Sequence, residues 1–177
     1  MNITGGIYNG RKIHSPDEKI TRPTLSKVRM SVFNILYSEF GDFSGKSFLD
    51  MFGGSGIMGL EALSRGFEKV TVFEKNKTAA QIIKGNYKSL GLEPDIYLGD
   101  SLKLAQKYNA YYDVVYVDPP YMSGIYEQCL KILKNTGIVI LEHSIDVDIS
   151  GFEIIKQKKY GDTYITFLNS YGIKPVL

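Results

Sequence analysis

Apolar positions in this chain follow two rhythms that take turns along its length. Val114 to Val117 and Ile138 to Leu141 are apolar at every position. Unbroken runs of that length suit strands buried on both faces of a parallel sheet. Lys46 to Asp50, Lys69 to Phe73 and Asp95 to Leu98 read as three further strands. The second rhythm is helical. Leu25, Val28, Val32, Phe33, Ile35 and Leu36 fall on one face of a helix that Thr24 caps, with Lys27, Arg29, Ser31 and Asn34 mainly on the other. Ser38 to Gly45 reads as a loop. Helices are also predicted up to Arg65, over Asn76 to Leu90, over Ser101 to Tyr108 and from about Tyr126 to Lys134, with Gly66, Gly91 and Gly137 closing three of them. Two last strands, Phe152 to Gln157 and Thr163 to Leu168, are joined by five residues. That link is too short for a crossover helix, so the pair forms an antiparallel hairpin. The expected class is α/β, a mostly parallel sheet with helices on both faces and an antiparallel end.

Composition narrows the setting. A chain of 177 residues fits one domain, and 44% hydrophobic with 23% charged residues is ordinary globular usage. No apolar run approaches the eighteen or so residues of a membrane span. Met1 to Gly6 lacks the pattern of a signal peptide, so a cytoplasmic protein without membrane contact is expected, as a monomer. The single cysteine, Cys129, excludes an internal disulfide and reads as a small core residue. His14 and His143 do not join it in a zinc spacing, so no metal is expected. The net charge is only +2, yet residues 1–29 hold Arg11, Lys12, Lys19, Arg22, Lys27 and Arg29 against Asp17 and Glu18. Such a segment suits a basic arm or short hairpin lying along nucleic-acid phosphates, although a solvated terminus has the same composition.

The chemistry concentrates where strands end. After Val117 come Asp118, Pro119, Pro120 and Tyr121. Paired prolines stop the strand and stiffen the loop. An exocyclic amine has two N–H donors, which the Asp118 carboxylate and the Pro119 carbonyl would accept while a base stacks on Tyr121. A strand end with a Pro-rich turn is the bland reading, and a second motif argues against it. Asp50 precedes Met51-Phe52-Gly53-Gly54-Ser55-Gly56-Ile57-Met58-Gly59, where Gly54, Gly56 and Gly59 form G-x-G-x-x-G between a strand and a helix. Glu74 lies where an acid accepts ribose hydroxyls, and Asp100 stands at the same level of the third strand. A dinucleotide is disfavoured because the carboxylate of Asp50 before the glycines suits a cationic ligand better than a pyrophosphate.

Taken together, these strand ends, the glycine loop, Asp118 to Tyr121 and the terminal hairpin resemble a class I S-adenosylmethionine-dependent methyltransferase with a Rossmann-like sheet. Thr4-Gly5-Gly6, Gly10-Arg11, Thr21-Arg22-Pro23-Thr24, Val28-Arg29, Phe33-Asn34-Ile35-Leu36 and Gly59-Leu60-Glu61-Ala62-Leu63-Ser64-Arg65-Gly66 resemble the RsmD family more narrowly. The resemblance covers nearly the whole chain. It implies methylation of the exocyclic N2 of a guanine in bacterial 16S ribosomal RNA, with the RNA or the small ribosomal subunit as partner and S-adenosyl-L-methionine as cofactor. By matched position it implies that Asp50, Phe52, Gly54 and Gly56 hold the methionine end, Glu74 the ribose and Asp100 the adenine, with Asp118 bordering the sulfonium. It further implies that Asp118, Pro119, Pro120 and Tyr121 hold guanine, and that Arg11, Arg22, Lys27 and Arg29 meet RNA phosphates. Other readings share parts of this pattern: an adenine-N6 or cytosine-N4 DNA methyltransferase, a non-catalytic RNA-binding module, and a nicotinamide oxidoreductase. The short chain without an obvious target-recognition domain favours RNA over DNA.

Overall fold

The computed structural model describes residues 1–17, 24–93, 95–120 and 124–170. Its elements follow in the order α1 (Ser26–Phe40), β1 (Ser47–Asp50), α2 (Ile57–Ser64), β2 (Lys69–Glu74), α3 (Lys77–Ser89), β3 (Asp95–Leu98), α4 (Ser101–Tyr108), β4 (Val114–Val117), α5 (Ile125–Ile132) with a 3-10 turn (Leu133–Asn135), β5 (Ile138–His143), β6 (Phe152–Tyr160) and β7 (Thr163–Ser170). The seven strands make one sheet in the order β3-β2-β1-β4-β5-β7-β6. The first five are parallel, β7 runs antiparallel to β5, and β6 antiparallel to β7.

Each face of the sheet is covered by its own core. On one side α1, α2 and α3 bury Val32, Phe33, Leu60, Ile83 and Tyr87 against Phe48, Val114, Tyr116, Ile140 and Phe167. On the other, α4 and α5 bury Ala105, Tyr126, Cys129 and Leu130 against Leu49, Val115, Val117 and Leu141. This double cover explains why the parallel strands read as unbroken apolar runs. Burial pushes the Cys129 thiol up to about 12, which suits an inert core residue. Strand order, not strand direction, reverses between the parallel neighbours β1 and β4, so a crevice opens outside the carboxyl ends of those two strands.

Several boundaries differ from the sequence reading. Leu25, not Thr24, is the N-cap of α1 and makes no side-chain cap bond. That helix runs on through Ser38 to Phe40, because Tyr37 and Phe40 both set their rings against Phe43, and it stops at Gly41 with φ 76°. The terminal hairpin is longer than the apolar pattern suggested, since cross-strand pairing continues from Lys158 to Tyr160. Among the described residues no helix is long and apolar enough to cross a membrane.

Candidate active site

The glycine loop is built tightly around missing side chains. Gly53 N–H donates to the Phe73 carbonyl at 2.8 Å, and a Cβ there would meet Val72 Cγ1 at 2.5 Å. Gly56 takes φ 76° and caps α2, and its Cβ would approach Ile83 Cγ2 to 2.8 Å. A side chain on Gly59 would strike the Tyr87 hydroxyl, which is buried beneath it without a hydrogen-bond partner. The third glycine of the motif is therefore a packing requirement of α2 against α3.

Asp50 ends β1 directly below this loop and is only 2% exposed. Burial pushes its carboxyl up to about 8; hydrogen bonds from the backbone of Gly59 and Phe52 oppose that rise, and the nearby Glu74 adds to it. A buried acid held near neutrality is poised to ionise when a cation arrives beside it. Glu74, at the end of β2, accepts Gly54 N–H at 2.8 Å on one oxygen and Asn76 N–H at 2.6 Å on the other. It thus fixes the glycine loop while keeping lone pairs for hydroxyl donors. Asp100 is exposed beyond β3 and caps α4 by accepting Lys103 N–H at 3.0 Å. Phe52 is half-buried between Asp50 and the glycines. This set fits S-adenosylmethionine: a buried acid for its positive charge, a second for ribose, and backbone free of side chains between them.

Asp118 leaves β4 two residues after Tyr116, the residue paired with Asp50. The two acids therefore lie on adjacent strands at the crevice. Asp118 is half-buried, Pro119 buried and Pro120 exposed, while Tyr121 lies outside the described residues. Around them stands a polar cluster to which the sequence reading gave no role. The Tyr116 hydroxyl donates to the Glu142 carboxylate, and the Tyr126 hydroxyl donates to the Glu142 carbonyl at 2.9 Å. Burial raises the Tyr116 phenol well above its usual range, and the carboxylates of Glu142 and Asp118 raise it further. His143 contacts the Ile145 carbonyl at 2.7 Å and Thr166 Oγ1 at 2.8 Å, so both ring nitrogens are engaged. A tyrosine inside an apolar strand and an acid ending the next were the available signals. Their meeting depends on the β4–β5 register, which a single sequence does not show.

The basic residues divide. Arg11 is exposed in an N-terminal hairpin bridged between Asn2 and Lys12, and Lys27 is exposed on the first turn of α1. Arg22 lies outside the described residues. Arg29 is a correction: it is 1% exposed, and its Nε donates to the wholly buried Glu61 at 3.0 Å. Its other nitrogens donate to the Thr24 carbonyl, to the Asn2 carbonyl at 2.8 Å and to Ser26 Oγ at 3.1 Å. So enclosed, it meets no phosphate and instead ties α1 to α2 and the N-terminal hairpin.

A crevice at the switch point of such a sheet, a glycine loop, acids at successive strand ends and an antiparallel terminal pair define a class I methyltransferase. The family described as "Conserved hypothetical protein 95" matches residues 1–169. "Putative rRNA methyltransferase YlbH" of Bacillus subtilis (strain 168) is 31% identical over 187 aligned positions, spanning 99% of this chain and 96% of the relative. "Ribosomal RNA small subunit methyltransferase D" of Escherichia coli (strain K12) is 35% identical over 150, spanning 84% and 74%. Among solved structures, "Putative methyltransferase yhhF from Escherichia coli" superposes with a TM-score of 0.84 at 24% identity, covering 96% of this chain and 97% of its own. The chain belongs to this family, the RsmD family of S-adenosylmethionine-dependent methyltransferases.

Proposed function

We propose that the protein methylates the exocyclic N2 of a guanine in 16S ribosomal RNA, as free RNA or within the small ribosomal subunit. The observation that carries this reading is the adjacency of Asp50 and Asp118 on neighbouring parallel strands, one buried under the glycine loop and the other opening the Asp-Pro-Pro loop. Relatives named as ribosomal RNA methyltransferases favour RNA as the substrate.

S-adenosylmethionine supplies, when bound, a methyl group activated on a positively charged sulfur. Asp50, Phe52, Gly54 and Gly56 hold its methionine end, Glu74 its ribose and Asp100 its adenine. The remaining chemistry is positioning. Guanine N2 is a poor nucleophile because its lone pair is delocalised into the ring. Accepting its two N–H bonds at Asp118 and the Pro119 carbonyl turns that lone pair outward and stabilises the positive charge that grows on nitrogen. Asp118 then takes the proton that the methylated amine sheds. Pro120 keeps the loop stiff, and Tyr121 offers a face for the base. A paired guanine must first be turned out of its helix, which costs a few kcal/mol, less in a loop.

The test uses small subunits and naked ribosomal RNA from cells lacking the protein, with the labelled product identified by mass spectrometry. N2-methylguanosine is expected from one of the two substrates. Label recovered only in DNA adenine or cytosine, or none despite proven cofactor binding, overturns the reading.

A further inference from the structure

The terminal hairpin stands beside the catalytic edge of the sheet. Tyr164 of β7 pairs with His143 at the carboxyl end of β5, and Lys159 of β6 pairs with Tyr164. The turn at Gly161 and Asp162 therefore projects past the ends of the parallel strands, on the side where Asp118 leaves β4. Val117 is level with Leu141, so Asp118 is level with Glu142, which pairs with Ile165, which pairs with Lys158. Three strand spacings put the Lys158 backbone about 15 Å from that of Asp118. That is close enough for one RNA strand to reach both.

The face that Lys158 shares with Ile165 is the one covered by α1. There the Tyr160 hydroxyl donates to Ser31 Oγ, and Lys158 Nζ donates to the same oxygen at 3.5 Å. Lys27, one helical turn before Ser31, holds its ammonium 5.7 Å from the centre of the Tyr160 ring. Lys156 is exposed two positions back on the same strand, opposite Phe167 of the α1-side core. On the reverse face Lys159 lies 5.1 Å from the Tyr164 ring, which stacks on His143. The acids of the hairpin are Glu153, at its far end, and Asp162, in the turn.

Lysines on an edge strand also discourage edge-to-edge pairing, and exposed ones need no other reason. Edge protection does not explain why lysines from α1 and β6, more than a hundred residues apart in sequence, meet around one serine and one tyrosine ring. Ammonium groups interleaved with aromatic rings along a ridge suit a strand of phosphates with bases between them.

We propose that the tip of the β6–β7 hairpin, with Lys156, Lys158 and Tyr160 facing Lys27 of α1, docks the phosphate backbone of the RNA adjoining the target base. This rests on the reading of the protein as an RNA methyltransferase. The test measures binding of a labelled small-subunit ribosomal RNA fragment by fluorescence anisotropy across a salt series. It compares the wild type, Lys156→Glu/Lys158→Glu and, as a control on the exposed face of α3, Lys84→Glu/Lys88→Glu. The hairpin variant is expected to bind at least about tenfold more weakly, with a log–log salt slope shallower by roughly 1.4 to 1.8, as loss of two phosphate contacts predicts. Its melting temperature and S-adenosylmethionine affinity stay at wild-type values, and the control binds RNA as the wild type does. Equal affinity and slope for hairpin variant and wild type, or an equal loss in the control, overturns the proposal and leaves the lysines as edge protection. A wild type that takes up cofactor yet binds no ribosomal RNA overturns the underlying reading instead.

Discussion

The two antiparallel hairpins of this protein use their polar groups in opposite ways. The N-terminal one turns inward. Ile3 and Ile13 are buried, Thr4 donates to Glu61 through both its amide and its hydroxyl at 2.8 Å, and Tyr8 N–H donates to Ser64 Oγ at 2.9 Å. Gly6 sits at φ 77° against Ser64, where a Cβ would overlap the Ser64 carbonyl. All these contacts grip α2, the helix that the glycine loop begins. Asn86 of α3 adds a link: it accepts His14 N–H at 2.8 Å and donates to the His14 and Ser55 carbonyls. The C-terminal hairpin turns outward, its lysines exposed and its tip fastened to α1 at Ser31. Counting cations does not separate a strut from a contact surface. What separates them is whether a buried acid faces the cation, as Glu61 faces Arg29.

Cutting the tie that joins α1 to α2 and the inward hairpin has the largest expected effect on stability. Arg29→Ala leaves the buried Glu61 with Arg65, 3.2 Å away, as its remaining charged partner, so unfolding by urea is expected to show a loss toward the lower end of the range for a broken buried pair, about 3 kcal/mol. Lys158→Ala is expected to shift stability by no more than about 0.5 kcal/mol in the same experiment. Similar losses for the two would erase the distinction. Asn86→Ala, which removes a buried amide bridging two segments, falls between them at about 1–3 kcal/mol.

A pH series sharpens the contrast at Asp50. The folded-state pKa of Asp50 is raised to about 8 from 3.8, so its contribution to stability is fully present at acid pH and is lost as pH rises toward 8. Asp50→Asn removes that titration, and its melting temperature is expected to gain on the wild type as pH goes from 5 to 8. Binding of a cation favours the ionised acid, so S-adenosylmethionine affinity of the wild type is expected to rise over the same interval and that of Asp50→Asn to stay flatter. Parallel curves for the two proteins would remove Asp50 from the cofactor site. The smallest effect is expected at Arg11: Arg11→Ala weakens RNA binding uniformly across sequences and lowers the salt slope by about 1, measured by anisotropy.

Much of this arrangement was legible in the sequence, for local reasons. Strands buried on both faces announce themselves as apolar runs, and a glycine loop or Asp-Pro-Pro turn is contiguous. The loss of Arg29 to the interior had a partial signal too. It stands four residues before Phe33 and seven before Leu36, on the apolar face of α1. Reading it with Lys27 as one basic patch overlooked that periodicity. Its partner Glu61 lies 32 residues away, and the Tyr116–Glu142 contact depends on strand register; neither is a local property. The hairpin lysines read locally as a turn, and only the pairing of β7 with β5 brings that turn to the sheet edge where Asp118 leaves β4.

The proposed roles divide along one edge of the sheet, cofactor binding to Asp50 on β1 and transfer to Asp118 after β4. Single-turnover methyl transfer to ribosomal RNA by Asp118→Ala, with S-adenosylmethionine affinity measured by calorimetry on the same preparation, tests this division most directly. The transfer rate is expected to fall by about 100- to 1,000-fold, the usual loss for one preorganised group at a reacting centre, with cofactor affinity nearly unchanged. Transfer at the wild-type rate, or a collapse of cofactor affinity, would contradict it.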